Sequence, residues 1–251
     1  MADLPVLSGG SAGALSDGGF EVSYVADGGA EQRVLLVDAR SVLLEEAAPA
    51  RRFRSVRTQR HFSGLWWSAT VCRHVGYESW LERDHLMLLD FDPAVVGIAS
   101  QPFWLSWVAP AGDAYRHVPD YFARRADGSA VVVDCRPPDR IGPRDAVKFE
   151  ATRQACGLVG WEYRLVGAPE RIAVGNVRWL AGYRHPRHRL AEVAAVLRDV
   201  FARPARLMTG AERAGDPVAV LPVLFHLLWR QELTVDLSVP LHASALVTAA
   251  G

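Results

Sequence analysis

The run Ala130-Val131-Val132-Val133-Asp134 constrains this chain more than any other stretch. Valine is stiff at its first side-chain torsion and packs best on a pleated strand. An apolar run without polar alternation predicts a strand covered on both faces. That requires layers above and below a sheet. Helical patterns on either side of the run supply them, so the expected class is an α/β sandwich. The strand ends on an acid, and Cys135-Arg136-Pro137 follow it.

Upstream, residues 7–19 are rich in Gly, Ser and Ala and predict a mobile leader. Residues 20–25 and 33–37 alternate apolar and polar around Ala26-Asp27-Gly28-Gly29, the pattern of a β-hairpin. Residues 77–89 carry apolar side chains at helical spacing. Asp92-Pro93 ends that helix, because proline pushes the residue before it out of the α region. Residues 95–98 and 103–108 predict strands, and 115–124 a third, with Pro119 as an irregularity. Asp127-Gly128 is a hairpin turn leading into the valine run. Residues 144–156 and 174–182 predict helices, with a strand over 161–166 between them. The texture changes after the Arg- and His-rich run 184–189. Helices over 190–201 and 217–231 precede short strands over 233–237 and 241–246, an order that suggests a small winged-helix module. The expected organisation is a leader and hairpin over 1–50, the α/β domain over 51–184, and a winged-helix-like domain over 185–251.

Composition excludes several classes. The formal net charge is zero, so any attraction to nucleic acid has to be local. Residues 51–73 supply a local source: Arg51, Arg52, Arg54, Arg57, Arg60 and Arg73 interleave with Phe53, Phe62, Trp66 and Trp67. Arginines mixed with aromatics suit phosphate contact and base stacking, although a solvated basic edge has the same composition. Cys72, Cys135 and Cys156 form no C-x-x-C pair, which argues against structural zinc or a disulfide framework and for a reducing cytoplasm. No signal-peptide pattern opens the chain. The most apolar stretch, residues 218–229, is interrupted by Pro222 and His226 and is too short to span a bilayer, so no membrane association is expected. No Walker-type phosphate loop is present, so no intrinsic ATPase is expected.

The acids carry the chemistry. Asp120 follows Pro119, and Asp134 ends the valine strand one Asp-Gly turn later, so hairpin pairing brings the two within reach of a shared ion. Burying two like charges is costly unless a cation joins them. Glu82 on the preceding helix is the third carboxylate. Side chains alternate along a strand, so Arg136 shares a face with Asp134. Each acid also has a structural reading: Asp120 as a turn former, Asp134 as a strand cap or arginine partner, Glu82 as part of a solvated face. As an ordered set they suit metal-dependent phosphodiester hydrolysis, which needs a water nucleophile and neutralised phosphate charge. His117, just before Val118-Pro119-Asp120, suits proton transfer but reads rather as structural, and His185-x-x-His188 has the spacing of a metal pair but reads rather as a basic linker.

The motifs Ser79-Trp80-Leu81-Glu82, Leu88-Leu89-Asp90-Phe91-Asp92-Pro93, Gln101-Pro102, Pro119-Asp120-Tyr121-Phe122 and Val133-Asp134-Cys135-Arg136-Pro137 resemble the TnsA-like heteromeric transposase endonuclease subunits. More widely, they resemble the restriction-endonuclease-like nucleases. The resemblance covers roughly residues 51–183 and runs on through Asn176-Val177-Arg178-Trp179-Leu180. It implies a restriction-endonuclease-like mixed sheet flanked by helices and a small C-terminal winged-helix-like domain. The implied activity is nicking of double-stranded DNA at transposon 5′ ends, with Mg²⁺ or Mn²⁺ as cofactor. A partner transposase would cut the other strand, and an ATPase regulator is a further implied partner. The catalytic glutamate falls on Glu82, the aspartate on Asp120, and the ligand before the motif lysine on Asp134. Arg51, Arg54, Arg57, Arg60, Trp66 and Gln101 are the expected DNA contacts.

Arg136 stands where the motif has lysine. Arginine stabilises phosphate charge but is a poor general base. Lys148, the only lysine, is the alternative, reaching the site from the next helix. A third reading is a catalytically inactive DNA-binding or adaptor protein on the same scaffold.

Overall fold

The computed structural model describes residues 19–26, 28–51 and 63–250. Residues 7–18 of the leader expected over 7–19, Asp27 of the expected first turn, and Arg52, Phe53, Arg54, Arg57, Arg60 and Phe62, lie outside the described residues. The chain opens with β1 (Phe20–Val25) and β2 (Glu31–Leu35), paired antiparallel around the expected turn, then a short α1 (Leu36–Ala39). The hairpin of β3 (Gly64–Ser68) and β4 (Arg73–Tyr77) leads into α2 (Trp80–Phe91). Next come β5 (Val95–Ser100), β6 (Trp104–Val108), β7 (Ala114–His117), β8 (Tyr121–Arg125) and β9 (Ala130–Cys135). Then α3 (Pro143–Leu158), β10 (Glu162–Val166) and α4 (Arg171–Leu180) follow. The C-terminal part is α5 (Ala191–Val200), β11 (Ala205–Arg206), α6 (Leu207–Ala214), α7 (Pro217–Trp229), β12 (Leu233–Val235) and β13 (Leu246–Ala249).

The valine strand β9 lies inside a mixed sheet of order β10-β9-β8-β5, parallel to β10 and antiparallel to β8. Its residues divide between two cores. Val131 and Val133 pack with Tyr121, Leu86, Leu89 and Ile98 on the α2 side. Ala130 and Val132 pack with Phe122, Ala151, Ala155 and Trp161 on the α3 side, where the second sheet, β2-β1-β6-β7, adds Phe20, Val22 and Leu105. The expected burial on both faces is therefore present, and the class is α/β. Asp127-Gly128 makes the β8–β9 turn, with Gly128 at φ 84°, a left-handed conformation that glycine adopts without a Cβ penalty.

Several expectations change. Residues 115–124 form two strands in different sheets, because Pro119 has no N–H for a ladder and the chain crosses between layers there. Residues 64–77, expected only as an arginine–aromatic stretch, contain the β3–β4 hairpin, and Tyr77 belongs to it rather than to α2. Asp90 holds that hairpin. Its Oδ1 accepts from Ser68 Oγ (2.6 Å) and Thr70 N (2.8 Å), and its Oδ2 from Trp66 Nε1 (2.9 Å) and Ala69 N (3.1 Å). The last strand lies at Leu246–Ala249 instead of 241–246. Asn176 fixes the segment before it, donating to Leu237 O and Val239 O and accepting from Leu241 N. Helix α6, centred on Gly210, gave too short and too small-residue a pattern to read.

The C-terminal strands form a sheet of order β11-β13-β12. Their core is continuous with the rest of the chain: Met87 of α2 and Val174, Val177 and Leu180 of α4 join Leu197, Phe201, Leu224 and Val247. The core thus runs across the expected division at residue 184. Among the described residues no helix is long and apolar enough to cross a membrane.

Candidate metal and phosphodiester site

Helix α2 presents Glu82 through a cap. Ser79 is the N-cap, its Oγ accepting from Glu82 N at 3.2 Å. The Glu82 carboxylate folds back, with Oε1 2.8 Å from Ser79 Oγ and Oε2 accepting from Glu78 N at 2.7 Å. Ser79-x-x-Glu82 is thus a variant of the capping box, with Glu82 taking the Glu78 N–H, and its Ser-x-x-Glu spacing is a signal present in the sequence. Burial raises the Glu82 pKa above the ordinary carboxylate value, with the Glu78 charge adding to it and Arg51 opposing it.

Asp120 sits where the chain leaves β7 and enters β8. Its Oδ2 accepts from Cys135 N at 2.7 Å, and its carbonyl accepts from Gln101 N at 2.8 Å. The residue keeps some accessible surface, but its carboxylate is enclosed by neighbours. That enclosure is the main cause holding its pKa well above the ordinary value; the charges of Glu82 and Asp134 push it the same way, and Arg51 opposes them. Asp120 therefore stands in the fields of both other expected acids.

Asp134 is 2 % exposed and faces α3. Its oxygens lie 2.9 and 3.0 Å from His117 Nε2, and Oδ2 accepts from the Tyr163 hydroxyl at 2.8 Å. Burial and the Asp134 charge push the Tyr163 hydroxyl pKa far up, so it remains a proton donor to that carboxylate. The bond agrees with a structural histidine at position 117, which the β7 pairing of His117 with Leu105 holds in place. Burial and the neighbouring acids likewise push the Cys135 thiol up, which removes it as a nucleophile. Burial holds the Cys156 thiol at about 12.

Arg136 is exposed; its Nη2 donates to Asp145 at 2.8 Å and its Nε to the Arg140 carbonyl at 3.3 Å. Lys148 is half-buried on α3 and makes no ion pair among the described residues. Of the expected DNA contacts, Arg51 grips Glu78 through Nη1 (3.0 Å) and Nη2 (2.5 Å). Trp66 donates to Asp90 and lies under the Arg184 guanidinium at 3.9 Å. Gln101 is buried with φ 49°, and its side-chain amide, oriented by its neighbours, faces Arg51. Arg54, Arg57 and Arg60 lie outside the described residues.

Two hard-oxygen donors, Glu82 and Asp120, thus stand close enough that the Glu82 charge raises the cost of charging Asp120. A divalent cation relieves that cost, and Mg²⁺ needs only one or two carboxylates because it keeps several waters. Among the described residues, no three His, Cys, Asp or Glu side chains stand together as a ready ligand set. The donor chemistry fits such an ion through Glu82 and Asp120, with Asp134 already engaged by His117 and Tyr163. No protein-family model matches the chain, and no curated protein is significantly similar to it.

Proposed function

We propose that this chain is a metal-dependent DNA endonuclease of the restriction-endonuclease-like kind, a nicking subunit similar to TnsA. The observation that carries the reading is the Asp120 carboxylate, anchored on the Cys135 N–H at 2.7 Å beside Glu82 and Asp134; burial first, and then the charges of those two acids, hold its pKa above the ordinary value. Like charges gathered at such cost are a mark of functional sites. Glu82 and Asp120 would hold Mg²⁺ or Mn²⁺, which supplies positive charge for the phosphate and a polarised water. The Cys135 N–H and the α2 cap fix the two carboxylates, and Asp134, braced by His117 and Tyr163, adds negative field behind them.

The order helix, strand, helix, helix, strand, strand with sheet order β11-β13-β12 supports a winged-helix reading of the C-terminal part. Helix α7 occupies the position of a DNA-reading helix, yet it has no Lys or Arg and buries most of its length. It is therefore unsuited to phosphate or base contact. That part would dock a protein partner, such as a transposase or an ATPase regulator.

A second reading, an inactive DNA-binding or adaptor protein, is favoured by the engagement of both Asp134 oxygens and by arginine at position 136. Plasmid nicking separates the two. Wild type should nick supercoiled DNA with Mg²⁺ or Mn²⁺ and not with EDTA, and Asp120→Asn should lose at least about 100-fold. Equal rates with and without metal, or in both proteins, favour the inactive scaffold.

A further inference from the structure

We propose that Arg51 is the working cation of this site, held beside Glu82 and Asp120 to meet the phosphate in the place that the motif gives to a lysine. The inference rests on the nuclease reading above. Its basis is that Arg51's two anchors also hold the two acidic residues, Glu82 by its carboxylate and Asp120 by its main-chain carbonyl. Glu78 takes the guanidinium in a two-pronged grip, 3.0 and 2.5 Å, while the Glu78 N–H donates to Glu82 Oε2 at 2.7 Å. With the Gln101 amide turned to the orientation that satisfies both of its ends, its oxygen accepts from Arg51 Nη2 at 3.2 Å and its nitrogen donates to the Arg51 carbonyl at 3.1 Å. The Gln101 N–H donates to the Asp120 carbonyl at 2.8 Å, and its own carbonyl accepts from Ala50 N at 2.8 Å. Arg51 is therefore tied to Glu82 through Glu78 and to Asp120 through Gln101.

Gln101 holds this bridge in a left-handed backbone conformation, φ 49°, while almost fully buried. A side chain in that region costs on the order of 1–3 kcal/mol, and such strain clusters at functional sites. The Arg51 side chain is still 32 % exposed, so a ligand can reach it. A guanidinium has more N–H groups than Glu78 and Gln101 use, which leaves donors for a phosphate oxygen. The other candidates are placed differently. Arg136 spends its guanidinium on Asp145 and the Arg140 carbonyl, and Lys148 has no partner that draws it toward the acids among the described residues. Arginine does not release its proton, so the role is electrostatic.

A purely structural ion pair and a working cation differ in one respect. Removing a structural pair weakens metal binding and catalysis together. Removing a cation from beside a metal site relieves repulsion, so the ion binds as tightly or more tightly while the chemistry slows. The experiment is Mn²⁺ titration by calorimetry without DNA, together with nicking at saturating Mn²⁺, on the full chain. Arg51→Gln is expected to slow nicking by about 100-fold, the usual cost of one preorganised charge donor, with Mn²⁺ affinity unchanged or higher. Arg51→Lys should recover at least about tenfold of that, and Arg136→Gln should stay within about threefold of wild type. Nicking by Arg51→Gln within about threefold of wild type, or a joint loss of Mn²⁺ binding and nicking, overturns the proposal. If Arg51→Gln does not fold, Arg51→Gln/Glu78→Gln replaces it, removing the pair without stranding a carboxylate. Wild type and Asp120→Asn nicking equally would defeat the nuclease reading itself, and this proposal with it.

Discussion

Glu82 serves two demands at once, because the carboxylate that braces the α2 cap is also the charge that most raises the Asp120 pKa after burial. The two roles separate by substitution. Glu82→Gln keeps an oxygen for the Glu78 N–H and should melt close to wild type, while nicking falls at least about 100-fold. Glu82→Ala should lose nicking and also about 1 kcal/mol of stability with the cap, read by urea denaturation. At Asp120 the pKa is raised on folding, so the folded chain holds that proton more tightly than the unfolded one. Its contribution to stability is present below the ordinary value of 3.8 and is lost as pH rises through the raised native value. Without divalent ions, Asp120→Asn should therefore melt above wild type at pH 7, by a few degrees at about 2–4 °C per kcal/mol. The gap should close as pH falls toward 4. Excess Mn²⁺ should reverse the order, because only wild type gains from binding it. A wild type that melts higher than Asp120→Asn at pH 7 without metal would contradict this assignment.

At the scale of elements, Asp90 is the clearest structural acid. Four donors from the β3–β4 hairpin converge on it, so Asp90→Ala leaves buried N–H and O–H groups without acceptors. The expected loss is about 3 kcal/mol or more in urea unfolding, and a loss under about 1 kcal/mol would contradict it. Which elements could be read from sequence follows from how local their causes are. The valine strand, the Gly128 turn and the two long helices flanking the central sheet show in local pattern. The β3–β4 hairpin did not, because its fixing residue, Asp90, lies twenty or so positions away in α2. The final strand was displaced by Asn176, held there by bonds to residues more than sixty positions on. At the site, the positions of Glu82, Asp120 and Asp134 were legible as motifs. The turn of Asp134 toward His117 and Tyr163, and the tie between Arg51 and Gln101, depend on contacts between layers and were not.

Across the whole molecule, the core that joins α2 and α4 to α5–α7 makes the C-terminal part an extension of the α/β layers. A Cβ added at Gly210 would overlap the Phe201 ring in that core. Gly210→Ala should cost roughly 1–3 kcal/mol and lower the midpoint of a single thermal transition. A separate, earlier transition of the C-terminal part alone would show that the core is not shared. The account as a whole turns on Glu82 and Asp120 holding one divalent cation. A crystal soaked in Mn²⁺ and measured for anomalous scattering tests that directly. The account predicts a single strong peak bonded to both carboxylates; no peak there, or a peak that touches neither, would contradict it.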